Sequence, residues 1–433
     1  MAYITGPLLA CSFAFVNDLP RSKGNGQDLQ GVNWMVIKLD RTDQEALVAF
    51  LRALIRIPSF STQEGAVVAR IAEEMRRVGF DEVYVDRVGN VVGRIGSGAP
   101  KLLMESHVDT VGIGAPDSGD PGATPFDPFA ARLEDGVIWG RGAADDKQGI
   151  AAMIYGAKLL LDAGIDLNGA LYVAGIVQEE DCDGYAAGLL CEDVRPDGVV
   201  IGEATNLDVY RGHRGRMELK IILYGRSCHA SAPQRGVNAI YEMGRVLDGI
   251  QALAPTLRED PFLGQGTLAV TRIESTSGSL NVVPDSCTIY IDRRLTVGET
   301  EESSVAELEA VLQKAAVRAK IEVLVYEAQS HTAYPCRQKK YFPTWVLPVD
   351  HGLVQAAARA VEEVRGRPPQ IGRWVFSTDG VATMGRLGIP TIGFAAGDEV
   401  DAHTVEDRVR VDDLIVSAEV YARMAIEYLG IAG

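Results

Sequence analysis

Three apolar runs in this chain end abruptly in charge. "KLLMESHVDT" closes on His107 and Asp109, "ALYVAGIVQEE" on Glu179 and Glu180, and "PDGVVIGEATN" on Glu203. Short apolar runs bounded by polar residues read as buried strands. "KQGIAAMIYGAKLLLDAG", between the first two, reads as a helix. Strands alternating with helices predict an α/β domain with a mostly parallel sheet and flanking helices. Ligands of such sheets collect beyond the carboxyl ends of the strands, where this chain gathers its carboxylates.

The rest of the chain divides around that pattern. "QEALVAFLRALIRIPS" and "EGAVVARIAEEMRRVGF" are amphipathic helices, and "EVYVDRVGNVVGRIG" reads as a hairpin. From about Arg214 the rhythm changes. "GRMELKIILYGRS" alternates like a half-exposed strand and "GVNAIYEMGRVLDGIQAL" is a helix. "GTLAVTRIEST" and "SCTIYIDRRLTV" are strands, "SSVAELEAVLQKAAVRA" a helix and "IEVLVYEAQ" a strand. Strand–helix–strand–strand–helix–strand is the split βαβ arrangement of a small α+β domain. The first style returns from about Pro343, with helices at "DHGLVQAAARAVEEV" and "VDDLIVSAEVYARMAIEYL" and strands near "IGRWVFS" and "IPTIGFAAG". The expectation is an α/β domain over residues 36–212 and 331–433, interrupted by an inserted ferredoxin-like domain over 213–330.

The apolar opening "AYITGPLLACSFAFV" has no basic residue before it and is broken by Gly6-Pro7, so it makes a poor signal peptide and is too short to span a bilayer. With the polar, Gly-rich stretch that follows, residues 1–35 read as an appended or disordered extension, and Met35 as the start. A net charge of −17 argues against a nucleic-acid partner. No membrane association is expected either. The six cysteines form no CxxC pair and read as free thiols of a cytoplasmic protein.

Singly, the polar strand ends have ordinary explanations. His107 and Asp109 fit an ion pair, and Asp145-Asp146 in "WGRGAADDKQG" a helix cap. Together with His403 in "DAHTVED" they supply two imidazoles and several carboxylates, an inventory suited to two divalent cations sharing one carboxylate. A nitrogen and oxygen donor set without Cys fits zinc, with cobalt or manganese as substitutes.

"HVDTV", "GRGAADDK", "QEED", "GEAT", "GRSCHASAPQRGVNAI", "NVVPD" and "AHT" stand in an order and spacing that resemble the metallopeptidase family of aminoacylase, acetylornithine deacetylase, succinyl-diaminopimelate desuccinylase and glutamate carboxypeptidase. The resemblance spans roughly residues 40–430. "GEATNLDVYRGHRGRMELKI", "YPCRQKKYFPTWVLPVDH" and "FSTDGVATMGRLGIPTIGF" are most similar to its YgeY-type hydrolase branch.

The resemblance implies two zinc ions per subunit. His107 and Glu203 would hold one, Glu180 and His403 the other, with Asp145 bridging them. Asp109 would orient His107, and Glu179 would be the general base. His229 would approach the oxyanion, often from a neighbouring subunit. Asn281 and Arg294 would hold the substrate; the alternative readings are a strand-turn residue and a surface charge. The implied activity is hydrolysis of an amide bond in a small amino-acid-derived substrate. The alternative is an N-carbamoyl amino acid amidohydrolase. A homodimer through the inserted lid domain is implied too. Two departures stand out: "AAGDEVDAHTVED" replaces the family's glycine-proline turn, and Glu406-Asp407 replaces its usual Asn-Glu. His213, His331 and His351 are left without a role.

Overall fold

The apolar runs that end in charge all become strands of one sheet. A computed structural model describes residues 38–113 and 127–432. The expected extension, residues 1–35, lies outside them. Lys101–His107 is paired in parallel with both Ala170–Ile176 and Gly198–Ile201, and the latter is paired in parallel with Thr391–Gly393. The sheet has eight strands; the hairpin Glu82–Val85 and Val91–Gly96 closes one edge, and Val209–Tyr210 with Ile371–Gly372 the other. Lys101–His107 is buried at six of its seven positions, as expected for a strand covered on both faces.

Helix Lys147–Asp162 is buried along almost its whole length and packs against Val411–Leu429. The two approach so closely at Gly156 that a Cβ there would sit 2.7 Å from the Ala418 carbonyl oxygen. Helices therefore flank a mostly parallel sheet, which is the α/β fold expected.

Gly215–Tyr224, Thr267–Thr276, Ser286–Leu295 and Ala319–Val323 build a second sheet, with Ser286–Leu295 and Gly215–Tyr224 at its centre. With helices Ala239–Leu253 and Glu301–Ala315 it has the ferredoxin-like order. Met217, Leu219 and Ile221 alternate inward and pack with Ile289 and Ile291 against both helices. Asn238 caps the first helix, and a Thr300–Ser303 capping box starts the second. Tyr341–Phe342, beyond the expected boundary at 330, joins this sheet as a fifth strand. The chain passes between the two sheets at Gly212–His213 and Trp345–Val346, which pair with each other.

Two expected strands are shorter than the pattern suggested. "IEVLVYEAQ" breaks at Leu324, which hydrogen-bonds both Glu218 and Lys340, so Val325–Gln329 leaves the sheet and pairs with Pro335–Lys339. Near "IGRWVFS" only Ile371–Gly372 is a strand, because the chain turns to bury Trp374, whose indole donates to the Ala204 carbonyl.

Candidate active site

The strand carrying His107 ends at that residue, and its neighbour ends at Ile176. Glu179 and Glu180 therefore stand in a turn, entered through Gln178 at φ 60°. Asp109 grips that turn: its Oδ1 accepts the Glu179 N–H at 3.1 Å and its Oδ2 the Glu180 N–H at 3.2 Å. Ser61 donates a further bond of 2.6 Å to that carboxylate.

Asp145 lies at the centre. His107 Nε2 is 2.8 Å from its Oδ1, and His403 Nε2 is 3.2 Å from its Oδ2. Each imidazole also meets a second carboxylate: Glu203 Oε1 at 3.6 Å from His107 and Glu180 Oε2 at 2.9 Å from His403. His107 Nδ1 is held mainly by the Asp109 backbone carbonyl at 3.0 Å, because the carboxylate is 3.6 Å away. The expected Asp109–His107 contact is thus made chiefly through the main chain. The peptide bond between Asp145 and Asp146 is cis. Asp146 precedes helix Lys147–Asp162 without capping it through its side chain, so the helix-cap reading of this pair fails.

His107, Asp109, Asp145, Glu179 and Glu203 are buried, while His403 stays exposed. Burial raises the pKa of Glu179 and Glu203 well above the carboxylate range. Asp145 goes the other way despite its burial, because both imidazoles hydrogen-bond to it. Its own bonds to Asp145 and Glu180 push His403 up to about 10. Ligand atoms of His107, Asp145 and Glu180, and of His107, Glu179 and Glu203, gather within 4.8 Å. Glu179 Oε1 is buried without a hydrogen-bond partner. Imidazoles and carboxylates so packed, with an oxygen left unmatched, fit a pair of divalent cations that would neutralise them.

Residues 103–427 match peptidase family M20/M25/M40. The uncharacterized protein YgeY of Escherichia coli strain K12 is 43% identical, covering 91% of this chain and 97% of YgeY. The succinyl-diaminopimelate desuccinylase of Methylorubrum extorquens strain PA1 is 28% identical over 88% and 98% of the two chains. The chain belongs to the M20/M25/M40 family. YXEP of Bacillus subtilis, described as a dinuclear metal binding peptidase of family M20, has the same fold: TM-score 0.68, 15% identity, 90% of this chain and 99% of that one. As an M20 member the chain is a metal-dependent hydrolase of amide bonds.

The other expected residues are distributed unevenly. Arg294 lines the cleft over the M20 cluster, whose volume is about 390 Å³. His229 and Asn281 do not line it. They are exposed neighbours on the second sheet's side, where Ala230 N–H donates to the Asn281 carbonyl. His213 is buried at the crossing, His331 packs on Gly89, and His351 caps helix Gly352–Arg365.

Sequence reasoning missed two positioning groups. Asp407, noted only as a departure from the family pattern, accepts the N–H groups of Gly142 at 2.6 Å and Ala144 at 2.7 Å. It thereby fixes the turn that carries Asp145, and burial pushes its own pKa up to about 7. Lys147 is buried, and its ammonium caps the carbonyls of Leu54 and Ile57 at 3.0 and 2.9 Å. Its place beside Asp145-Asp146 hinted at chemistry, but its contacts are those of a helix C-terminus.

Proposed function

We propose that the chain hydrolyses an amide bond in a small amino-acid-derived substrate with two zinc ions, one held by His107 and Glu203, the other by His403 and Glu180, and Asp145 shared. The observation that carries this reading is the Asp145 carboxylate spanning two imidazoles, each of which has a carboxylate of its own. When bound, the ions supply Lewis acidity, polarising a carbonyl and acidifying water. Glu179 takes a proton from the attacking water and delivers it to the leaving nitrogen. Asp109 holds both the His107 ring and the turn bearing Glu179 and Glu180.

Arg294 binds a substrate carboxylate at the cleft wall. The lid, residues 213–330, makes a homodimer. His229 and Asn281 of one copy then serve the developing oxyanion and the substrate in the other. Their absence from the cleft's lining and the exposed Tyr241, Ile273 and Leu280 on the same domain support that assembly. We place the enzyme in the cytoplasm: its five described cysteines are free thiols. Among the described residues, no helix is long and apolar enough to cross a membrane.

Calorimetric titration of metal-free protein with zinc should show two sites per chain. The zinc-loaded protein should release amine from a panel of N-acyl, N-carbamoyl and dipeptide substrates, read by mass spectrometry. Release of ammonia from the carbamoyl members alone would favour the amidohydrolase. No product from any member would end the proposal.

A further inference from the structure

The cleft has a second arginine that the reading above leaves unused. Arg216, from Gly215–Tyr224, lines it beside Arg294. The two are directly opposed in the antiparallel register with Ser286–Leu295. Opposed residues share one face of the sheet, with Cβ atoms about 5 Å apart. Like charges so placed repel unless each is compensated, and the compensation differs. Arg294 forks onto Asp292 of its own strand, at 2.8 and 3.2 Å.

Arg216 reaches across to the other sheet's side. Its Nη2 lies 2.7 Å from Oδ1 of Asp183, a residue 3% exposed in the turn that follows Glu179 and Glu180. Its guanidinium also lies 4.7 Å from the centre of the buried Phe342 ring. The group is oriented before any ligand arrives. Its Nε is nevertheless buried with no hydrogen-bond partner, as is Oγ of Ser377 on the same cleft. A buried charged donor left unpaired is costly, and such donors in a cleft are completed by ligand.

We propose that Arg216 is a specificity-determining residue. With Arg294 it grips a single carboxylate of the substrate between the two strands, and Asp183 is the positioning residue that aims it. This deepens the amide-hydrolase reading and rests on it. The substrate class is an amino-acid derivative whose carboxylate is free, and the corresponding carboxamide is excluded.

The test is calorimetric binding to the metal-loaded full chain, using N-acetyl and N-carbamoyl amino acids, each beside its carboxamide. The acids should bind about 100-fold more tightly than the carboxamides, through two charge-assisted grips. Arg216→Ala should weaken the acids 10- to 100-fold, by roughly one such grip, and leave the carboxamides and the metal content unchanged. Arg216→Lys should restore only part of the loss, because an ammonium lacks the fork. Should Arg216→Ala fail to fold, Asp183→Asn retains the guanidinium, and it should weaken the acids selectively by about 10-fold. Equal weakening of acids and carboxamides would mark a merely structural ion pair and overturn the proposal. So would a wild type that treats acids and carboxamides alike, including by binding neither. Turnover of the same compounds reports separately on the hydrolase: selective acid binding without product would overturn that reading and leave the carboxylate grip standing.

Discussion

At the carboxyl ends of the eight-stranded sheet's central strands, acidic residues and His107 are buried and packed on one another. In the second sheet most charged residues alternate along the strands and remain partly exposed, Arg293 being the buried exception. Lys220 meets Glu322 at 2.9 Å there, and Lys340 meets Glu218 at 2.9 Å. Such pairs are solvated and contribute little, so the second sheet is held by the apolar face beneath them. The carboxylates at the strand ends are buried against one another, and cations or protons must balance them. One region carries chemistry at a cost in stability, and the other carries stability and presents a charged face to the cleft.

Four experiments would break or sharpen that contrast. The largest effect belongs to the buried cluster. Glu179→Ala should lower kcat by about 10³-fold, the scale of a lost general base. Metal content by elemental mass spectrometry should stay unchanged, and a fully active variant would remove Glu179 from its role.

The crossing between the regions comes second. His213 donates from Nδ1 to the Arg214 carbonyl at 2.9 Å, and its Nε2 accepts from Trp345 Nε1 at 2.8 Å and Thr378 N–H at 3.0 Å. A proton on Nε2 would face two donors, and burial pushes this pKa down to about 4. The unfolded chain, with an ordinary value near 6.5, takes the proton first. The stabilisation is therefore present above about pH 6.5 and is lost as pH falls toward 4, by about 3 kcal/mol. Urea unfolding at pH 7 and 4.5 should show that slope in the wild type and not in His213→Gln. Equal slopes would refute it.

Asp109→Ala is third. Loss of the group that holds the His107 surroundings and the 179–180 turn should weaken zinc affinity 10- to 100-fold in a competition titration. An unchanged affinity would mean the backbone carbonyl suffices. The smallest effect is expected in the second sheet. Ile289→Val, in its apolar core, should cost about 1 kcal/mol of stability. Zinc affinity should not change; if it did, the two regions would be more tightly coupled than their separate cores suggest.

Much of this was legible in the residue order. Buried strands show as apolar runs, and His107, Glu203 and the 179–180 pair announce themselves as charges at the ends of such runs. The second sheet was readable from alternation, as the inward Met217, Leu219 and Ile221 illustrate. Less readable was the setting of Glu179 and Glu180, because the strand stops at Ile176 and a turn takes over. Turn geometry depends on what grips the turn, and here that is Asp109, about seventy positions away in sequence.

By itself, then, the sequence determined which segments become strands and helices, that the polar groups collect at one edge of a parallel sheet, and the donor types available for metals. These follow from local hydrophobic periodicity and from the rule that places sites beyond strand ends. Only the tertiary structure decided that Asp145 lies between two imidazoles, that Asp407 holds the Asp145 turn from 263 positions away at Ala144, and that Arg216 stands opposite Arg294 with Asp183 behind it. Each of those contacts joins residues far apart in the chain. Their energy comes from burying charged and polar groups together, and no local pattern records which distant partner will be there.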